Sequence, residues 1–358
     1  MRFIFKTDYA QDIRIVKHAG QGFWYALLGL LLLVAPLWAG DYWLSQLSFV
    51  LIYAIAGLGL MVASGFTGLA SIGHAAFLGV GAYVEAYLSA RGWPFPLSMA
   101  LAAGLSAAVG VVVGLPALRV KGIYLAIATL SFGFIVEEIL ARWESVTKGN
   151  AGLAVLAPQF FGAELGSSTA FYFIALVTCV LVTLAVINLM RSSTGRAFIA
   201  IRDSEVSAQS MGIHLAGYKT LAFSVSAAIV GIAGALYAHK LRFISPDQFG
   251  IVQSIDLLLL VVVGGLGSIH GAFLGAIFLI TMPQLIAIGK DWLPAAIGQA
   301  SGLQAVVYGA VLMGFVLFEP MGLYGRWLKL RTWLQLFPFY RRGMFKRQKS
   351  FTKSERLK

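Results

Sequence analysis

Apolar residues run unbroken through this chain for stretches of about 20, and polar residues fall in short clusters between them. A half-buried strand would alternate with period two, and a surface helix would keep one polar face. Here whole turns are apolar on every side. In lipid only helices and closed barrels satisfy their own backbone, and barrel strands would alternate, so the runs predict membrane helices. They predict spans near 23–39, 44–64, 69–90, 97–118, 122–142, 169–190, 219–239, 254–266, 271–288 and 303–318. The stretch 254–266 is too short to cross alone and reads as half of a broken helix.

Composition agrees: 59% of residues are hydrophobic and 12% charged, with a mean hydropathy of +0.83. Soluble domains carry about 25% charged residues. The expected fold class is an all-α polytopic membrane protein of about ten transmembrane or re-entrant helices. Positive charge sets orientation. With both ends cytoplasmic, the segments 1–22, 119–121, 191–219 and 319–358 hold 21 of the 27 Lys and Arg on one side. The basic, aromatic-rich stretch after Arg326 reads as an interfacial anchor on anionic lipid, and the net charge of +12 therefore implies no nucleic acid. Twenty-two residues precede the first apolar run and no A-x-A site closes it, so it reads as an uncleaved span. The single Cys179 lies within a span and offers no disulfide framework.

One polar interruption stands out. GRAFIAIRDSEVSAQSMGIHLAGY, residues 195–218, places Arg196, Arg202, Asp203 and Glu205 between two membrane-length runs. Thr194 and Gly195 read as a helix entry, Ile199, Ile201, Val206 and Met211 as apolar contacts, and Gly212 as a helix stop. A short charged helix fixed at the membrane surface between two spans suits docking of a soluble partner. An amphipathic surface helix without a partner is the plainer alternative.

The second feature is a repeat. Residues 68–79, GLASIGHAAFLG, align with 264–275, GGLGSIHGAFLG, at a constant offset of 196 with six of twelve positions identical. Glycine-interrupted segments at matching places in two halves point to a transporter's central site, although small residues also serve helix packing. The pathway candidates are therefore Gly68, Ser71, His74, Phe77, Gly264, His270 and Phe273.

Other chemistry is missing. No phosphate-binding G-x-x-x-x-G-K-[ST] run and no G-x-S-x-G or H-E-x-x-H grouping occurs. Neither His74 nor His270 has companions for a metal site. No catalytic residue, metal or cofactor is expected, and any ATP hydrolysis belongs to another subunit. An ion-driven transporter, the rival reading, needs carboxylates inside its spans. Glu85 and Asp256 are its candidate coupling groups, while Glu137 and Glu138 precede Arg142 at the expected outer end of a span.

The segment GRAFIAIRDSEVSAQSMGI resembles the coupling loop of permease subunits in branched-chain amino acid ABC importers of the LivM type. GFTGLASIGHAAFLGVGAY (65–83), GIYLAIATLSFGFIVEEIL (122–140) and VVVGGLGSIHGAFLGAIFL (261–279) are similar to segments of that family in the same order, and the likeness covers roughly 45–325. Other importers carry an E-A-A motif followed by three residues and a glycine; Glu205-Val-Ser-Ala208 and Gly212 depart from it. The resemblance implies a bacterial inner-membrane assembly. Its partners would be a second homologous permease, two cytoplasmic ATP-binding subunits and an extracytoplasmic substrate-binding protein. It also implies two halves of inverted topology, and a coupling loop (191–218) in which Gly195, Arg196, Ile199, Arg202, Asp203, Glu205, Ala208, Met211 and Gly212 face the ATPase. The chain then divides into a cytoplasmic segment 1–22, a permease domain 23–325 and a basic cytoplasmic tail 326–358. The cargo would be branched-chain or related amino acids, with urea, amides and other small solutes open.

Overall fold

A computed structural model describes residues 19–117, 120, 122–160, 163–164, 166–290, 302–318 and 321–336. The apolar runs become helices: α1 (Ala19–Trp38), α2 (Asp41–Leu60), α3 (His74–Ser89), α4 (Phe95–Ala117) and α5 (Ile123–Arg142). After a connecting segment come α6 (Ser168–Arg191), the short α7 (Ser193–Asp203) and α8 (Glu205–Ser210), and the long α9 (Leu215–Leu241). Then follow α10 (Ile251–Gly264), α11 (Ile269–Lys290), α12 (Leu303–Phe318) and α13 (Gly322–Leu336). Among the described residues seven stretches are long and apolar enough to cross a membrane, and Gly22–Trp38 and Val306–Phe315 are shorter apolar pieces. The chain is an all-α polytopic membrane protein.

Two helices form the centre. The stretches Asp41–Phe66 and Leu215–Leu241 are each 72% buried within the protein, against 28% for Ile123–Arg142. Helix α9 packs on α2, α3 and α4, and it does so through small residues. A Cβ on Gly81 would lie 2.2 Å from the Gly231 carbonyl oxygen, and one on Gly234 would lie 2.1 Å from that of Leu78. Backbones at this distance gain dispersion contacts that lipid cannot match, which drives helix association in membranes. Tyr172 ties α6 to α1 by donating to the Leu32 carbonyl at 2.8 Å.

At one end of the bundle Leu153–Ala154 pair antiparallel with Phe243–Ile244, just after α9. There Glu85 on α3 and His239 on α9 meet at 2.9 Å with both side chains fully buried. Ser98 donates to Glu85 at 2.7 Å, and His239 Nδ1 donates to the Leu156 carbonyl at 2.9 Å. Glu85, a candidate coupling group from the sequence, lies near the end of α3 and is sealed inside the protein. Helices α7 and α8 lie at the opposite end, before the start of α9.

The two matched segments run in a parallel sense. Tyr53 reaches Gln253, Gly57 touches Leu260 and Gly65 touches Gly267. Contacts rising in the same order mean that α2 and α10 run side by side in one direction. An even number of crossings separates the two segments, so both breaks fall at the same end. Helix α13 also runs through residue 325, where sequence reading placed a domain boundary, and packs on α10 and α11. Most of the expected N-terminal segment and the tail beyond 336 lie outside the described residues.

Candidate functional site

Each repeat segment is a helix break followed by a new helix. In the first, α2 widens into a π turn, Met61–Phe66, a distortion common at functional sites. Carbonyls freed by the break are recovered locally: Leu69 N–H donates to Ala63 at 2.9 Å, Thr67 to Val62 at 2.8 Å and Ser64 to Leu69 at 3.0 Å. The amides entering α3 find hydroxyls on other helices. Ile72 N–H donates to Thr129 Oγ1 and Ala75 N–H to Ser254 Oγ. Several orphan groups at both helix ends thus find partners within the protein. The 69–90 span predicted from hydropathy therefore loses its first residues to a polar turn.

His74 opens α3 at the centre of a hydrogen-bonded chain. Ser226 donates its hydroxyl to the Gly59 carbonyl at 2.6 Å, so its oxygen must accept from His74 Nε2, 2.8 Å away. Ser71 then donates to Nδ1 at 2.7 Å. The ring also packs against Phe77 and Phe223. His74, Ser71 and Phe77 are buried. In the second break Gly264 and Gly275 are packing glycines, because a Cβ on either would lie within about 2 Å of the Gly271 or Leu260 carbonyl. His270 is exposed, 2.8 Å from the Tyr25 hydroxyl and stacked on Tyr324 at 5.6 Å. Phe273 is half-buried. The two histidines thus hold matching chain positions in different surroundings. None of these candidates lines the surface depression of about 870 Å³ at the far end of α5, which Glu137, Glu138, Arg142, Trp143 and Asp247 bound.

Segment 191–218 folds as two short helices, not one. Ser192, Ser204 and His214 cap α7, α8 and α9 by accepting from Gly195, Ser207 and Gly217. Ser204 is extended (φ −163°, ψ 114°), which splits the helix expected across Ile199–Met211. Gly212 ends α8 at φ +81°, the left-handed stop its position suggested. Gly195, Ala197, Phe198, Ile201 and Ala208 face the bundle. A Cβ on Gly195 would sit 2.4 Å from Met190 Cα, so the turn out of α6 is tight. Ile199 is half-buried and Arg196 exposed. Val206 and Met211 project outward, 76% and 82% exposed.

Two charged residues of this segment, Arg202 and Glu205, contact the rest of the chain. Glu205 pairs with Lys219 at 2.8 Å, where the Lys219 side chain is only 3% exposed. Arg202 pairs with Asp203 at 3.1 Å and donates from Nη1 to the Gly65 carbonyl at 3.4 Å. Sequence reasoning missed Lys219, Thr129, Ser226 and the Glu85–His239 pair, because each is defined by a contact made across the fold. Among the described residues no group of three His, Cys, Asp or Glu is placed to hold a metal ion. Asp256 is half-buried on α10.

A multi-pass bundle with two helix breaks at one end and a capped surface segment beside them has the form of a transport permease. The family comparison is direct. Residues 42–317 match the model of the permease component of branched-chain amino acid transport systems, and the chain belongs to that family. It is 33% identical over 298 residues to the high-affinity branched-chain amino acid transport system permease protein LivM of Salmonella typhimurium, covering 76% of this chain and 68% of that one. LivM of Escherichia coli K12 matches with the same identity and coverage. The autoinducer 2 import system permease protein LsrC of Enterobacter sp. is 26% identical over 241 residues, 64% of each chain. No solved structure matches. The chain is a transport permease component, with no catalytic role of its own.

Proposed function

We propose that this permease carries branched-chain or related amino acids across the bacterial inner membrane, in an importer powered by separate ATP-binding subunits. The observation that carries the substrate class is the 33% identity to two LivM permeases over 298 residues. The likeness to LsrC is weaker and shorter. In this reading the basic residues face the cytoplasm, and so do α7 and α8. Val206 and Met211 seat on an ATPase subunit, and closure of the two ATPase subunits on ATP moves the segment. A second, homologous permease completes the pathway, and an extracytoplasmic binding protein delivers the amino acid.

The pathway residues follow from the breaks. Gly68, Ser71, His74 and Phe77 on one side, and Gly264, His270 and Phe273 on the other, control passage by the way the breaks open, and Gly195 to Gly212 relay the ATPase movement. The test is reconstitution of the complete assembly in liposomes with ATP inside. Uptake of radiolabelled leucine or valine that requires the ATPase subunits is the expected result. Uptake driven by a proton or sodium gradient through this chain alone overturns the reading.

A further inference from the structure

We infer that Arg202 is the residue that transmits movement of the surface segment to both helix breaks at once, rather than a docking contact for the ATPase. The inference rests on the importer reading and adds the route by which movement enters the bundle. Arg202 lies in the last turn of α7, and three backbone segments converge on its side chain. Its stem lies on Gly68: a Cβ there would sit 3.0 Å from Arg202 Cγ and 3.3 Å from its Cα. Nη1 donates to the Gly65 carbonyl at 3.4 Å, at the end of the π turn. The same nitrogen lies 3.1 Å from where a Cβ on Gly267 would be, in the turn between α10 and α11.

These segments also touch one another. A Cβ on Gly65 would lie 2.9 Å from Gly267 N, and Gly267 N–H donates to Met61 Sδ at 3.2 Å. One side chain therefore lies against both breaks, exactly where glycine lets the backbone come close. Asp203 fixes its direction by accepting from Nε at 3.2 Å and Nη2 at 3.1 Å, which leaves Nη1 for the bundle. A guanidinium suits this role because its donors form a rigid planar fork. Lysine keeps the charge and much of the stem but not the fork. Val206 and Met211 are the large apolar side chains on the outward face of the segment, beside the exposed Ser207, Gln209 and Ser210. A pull on those residues displaces α7, and Arg202 carries the displacement into α3 and α11 together.

The test uses the complete assembly in liposomes and reads two quantities, ATPase subunits retained on purification and amino acid imported per ATP hydrolysed. Arg202→Met keeps the stem over Gly68 and removes the donors. We expect it to retain the ATPase subunits and to hydrolyse ATP, while import per ATP falls about tenfold, within the usual range of coupling between sites. Met211→Asp, the docking control, is expected to lose the subunits. Should Arg202→Met fail to assemble, Arg202→Lys is read in its place, with a smaller fall in the same ratio. Loss of subunits by an assembled Arg202 variant, to the extent seen with Met211→Asp, overturns the inference. An unchanged ratio overturns it as well. Wild-type assembly without ATP-driven import overturns the importer reading itself, a result distinct from both.

Discussion

Replacing Glu85 by leucine strands His239 in a site with no access to water, because both side chains are fully buried. Removing one partner of a buried pair costs about 3–5 kcal/mol, since the other is left without compensation. His239→Leu carries that cost and a further one, because the Leu156 carbonyl loses its 2.9 Å donor. The paired variant, Glu85→Leu with His239→Leu, removes both buried polar groups. Ser98 still has the Phe95 carbonyl at 3.0 Å, so only the Leu156 carbonyl is left unmatched, at about 1–3 kcal/mol. The pair should therefore be less destabilised than the sum of its singles by at least about 2 kcal/mol. Denaturant unfolding of the purified protein in detergent, followed by tryptophan fluorescence, measures all four corners of the cycle. Additivity to within about 0.5 kcal/mol refutes the reasoning, because it means that Glu85 and His239 do not act as a unit. Leucine uptake by the paired variant checks the ion-coupling alternative: retention of ATP-driven transport removes Glu85 from that role.

Other expected outcomes follow from the same geometry. Gly234→Leu sets a side chain against a carbonyl 2.1 Å from its own Cβ, so it should abolish stable expression, while Gly104→Leu, with nothing within 4 Å, should express normally; size-exclusion profiles in detergent decide. Lys219→Met removes a 2.8 Å ion pair whose cation is only 3% exposed and should lower the thermal stability of the permease by more than Glu138→Gln does, since that carboxylate is 59% exposed. Cysteines at Ser204 and Ser168, in a Cys179→Ser background, should differ in labelling by an impermeant thiol reagent, with Ser168 labelled from outside; the reverse pattern inverts the proposed orientation. Gly212→Val places a β-branched residue at φ +81° and should reduce uptake through strain in the turn, with little effect on insertion because the position is open to solvent.

The membrane class and the helix positions were legible because lipid imposes one simple requirement, long apolar runs with internally satisfied backbone. The failures are as physical as the successes. Hydropathy extended the third span back to residue 69, because Leu69, Ala70 and Ile72 are apolar although they form a turn whose amides are held by Thr129 and by local carbonyls. The repeat was visible, yet its sense was not, since orientation depends on the parity of crossings and a single sequence match carries no direction. Gly212 was legible as a stop because a left-handed residue has a compositional signature. Ser204 was not, because a serine inside a polar segment signals a cap only once the helix boundary is known.

Charge was the least legible property. Arg202 and Glu205 stand in a polar segment, and a sequence offers no reason to expect them to point anywhere but outward. In the fold they turn toward Gly65 and Lys219, and the large apolar side chains Val206 and Met211 are among the exposed positions. A short surface segment has two tasks with opposed requirements. Docking favours exposed apolar groups that are buried only when the partner arrives, whereas transmission favours groups already fixed to the body, because a loose side chain absorbs the displacement. Capped helix ends at Ser192, Ser204 and His214 stiffen the segment between those two sets of contacts. Phe198, Ile201 and Ala208 anchor the segment by burial, while Arg202 and Glu205 add fixed polar contacts to Gly65 and Lys219, so the side chains that hold it to the membrane domain are distinct from Val206 and Met211, which are left for a partner.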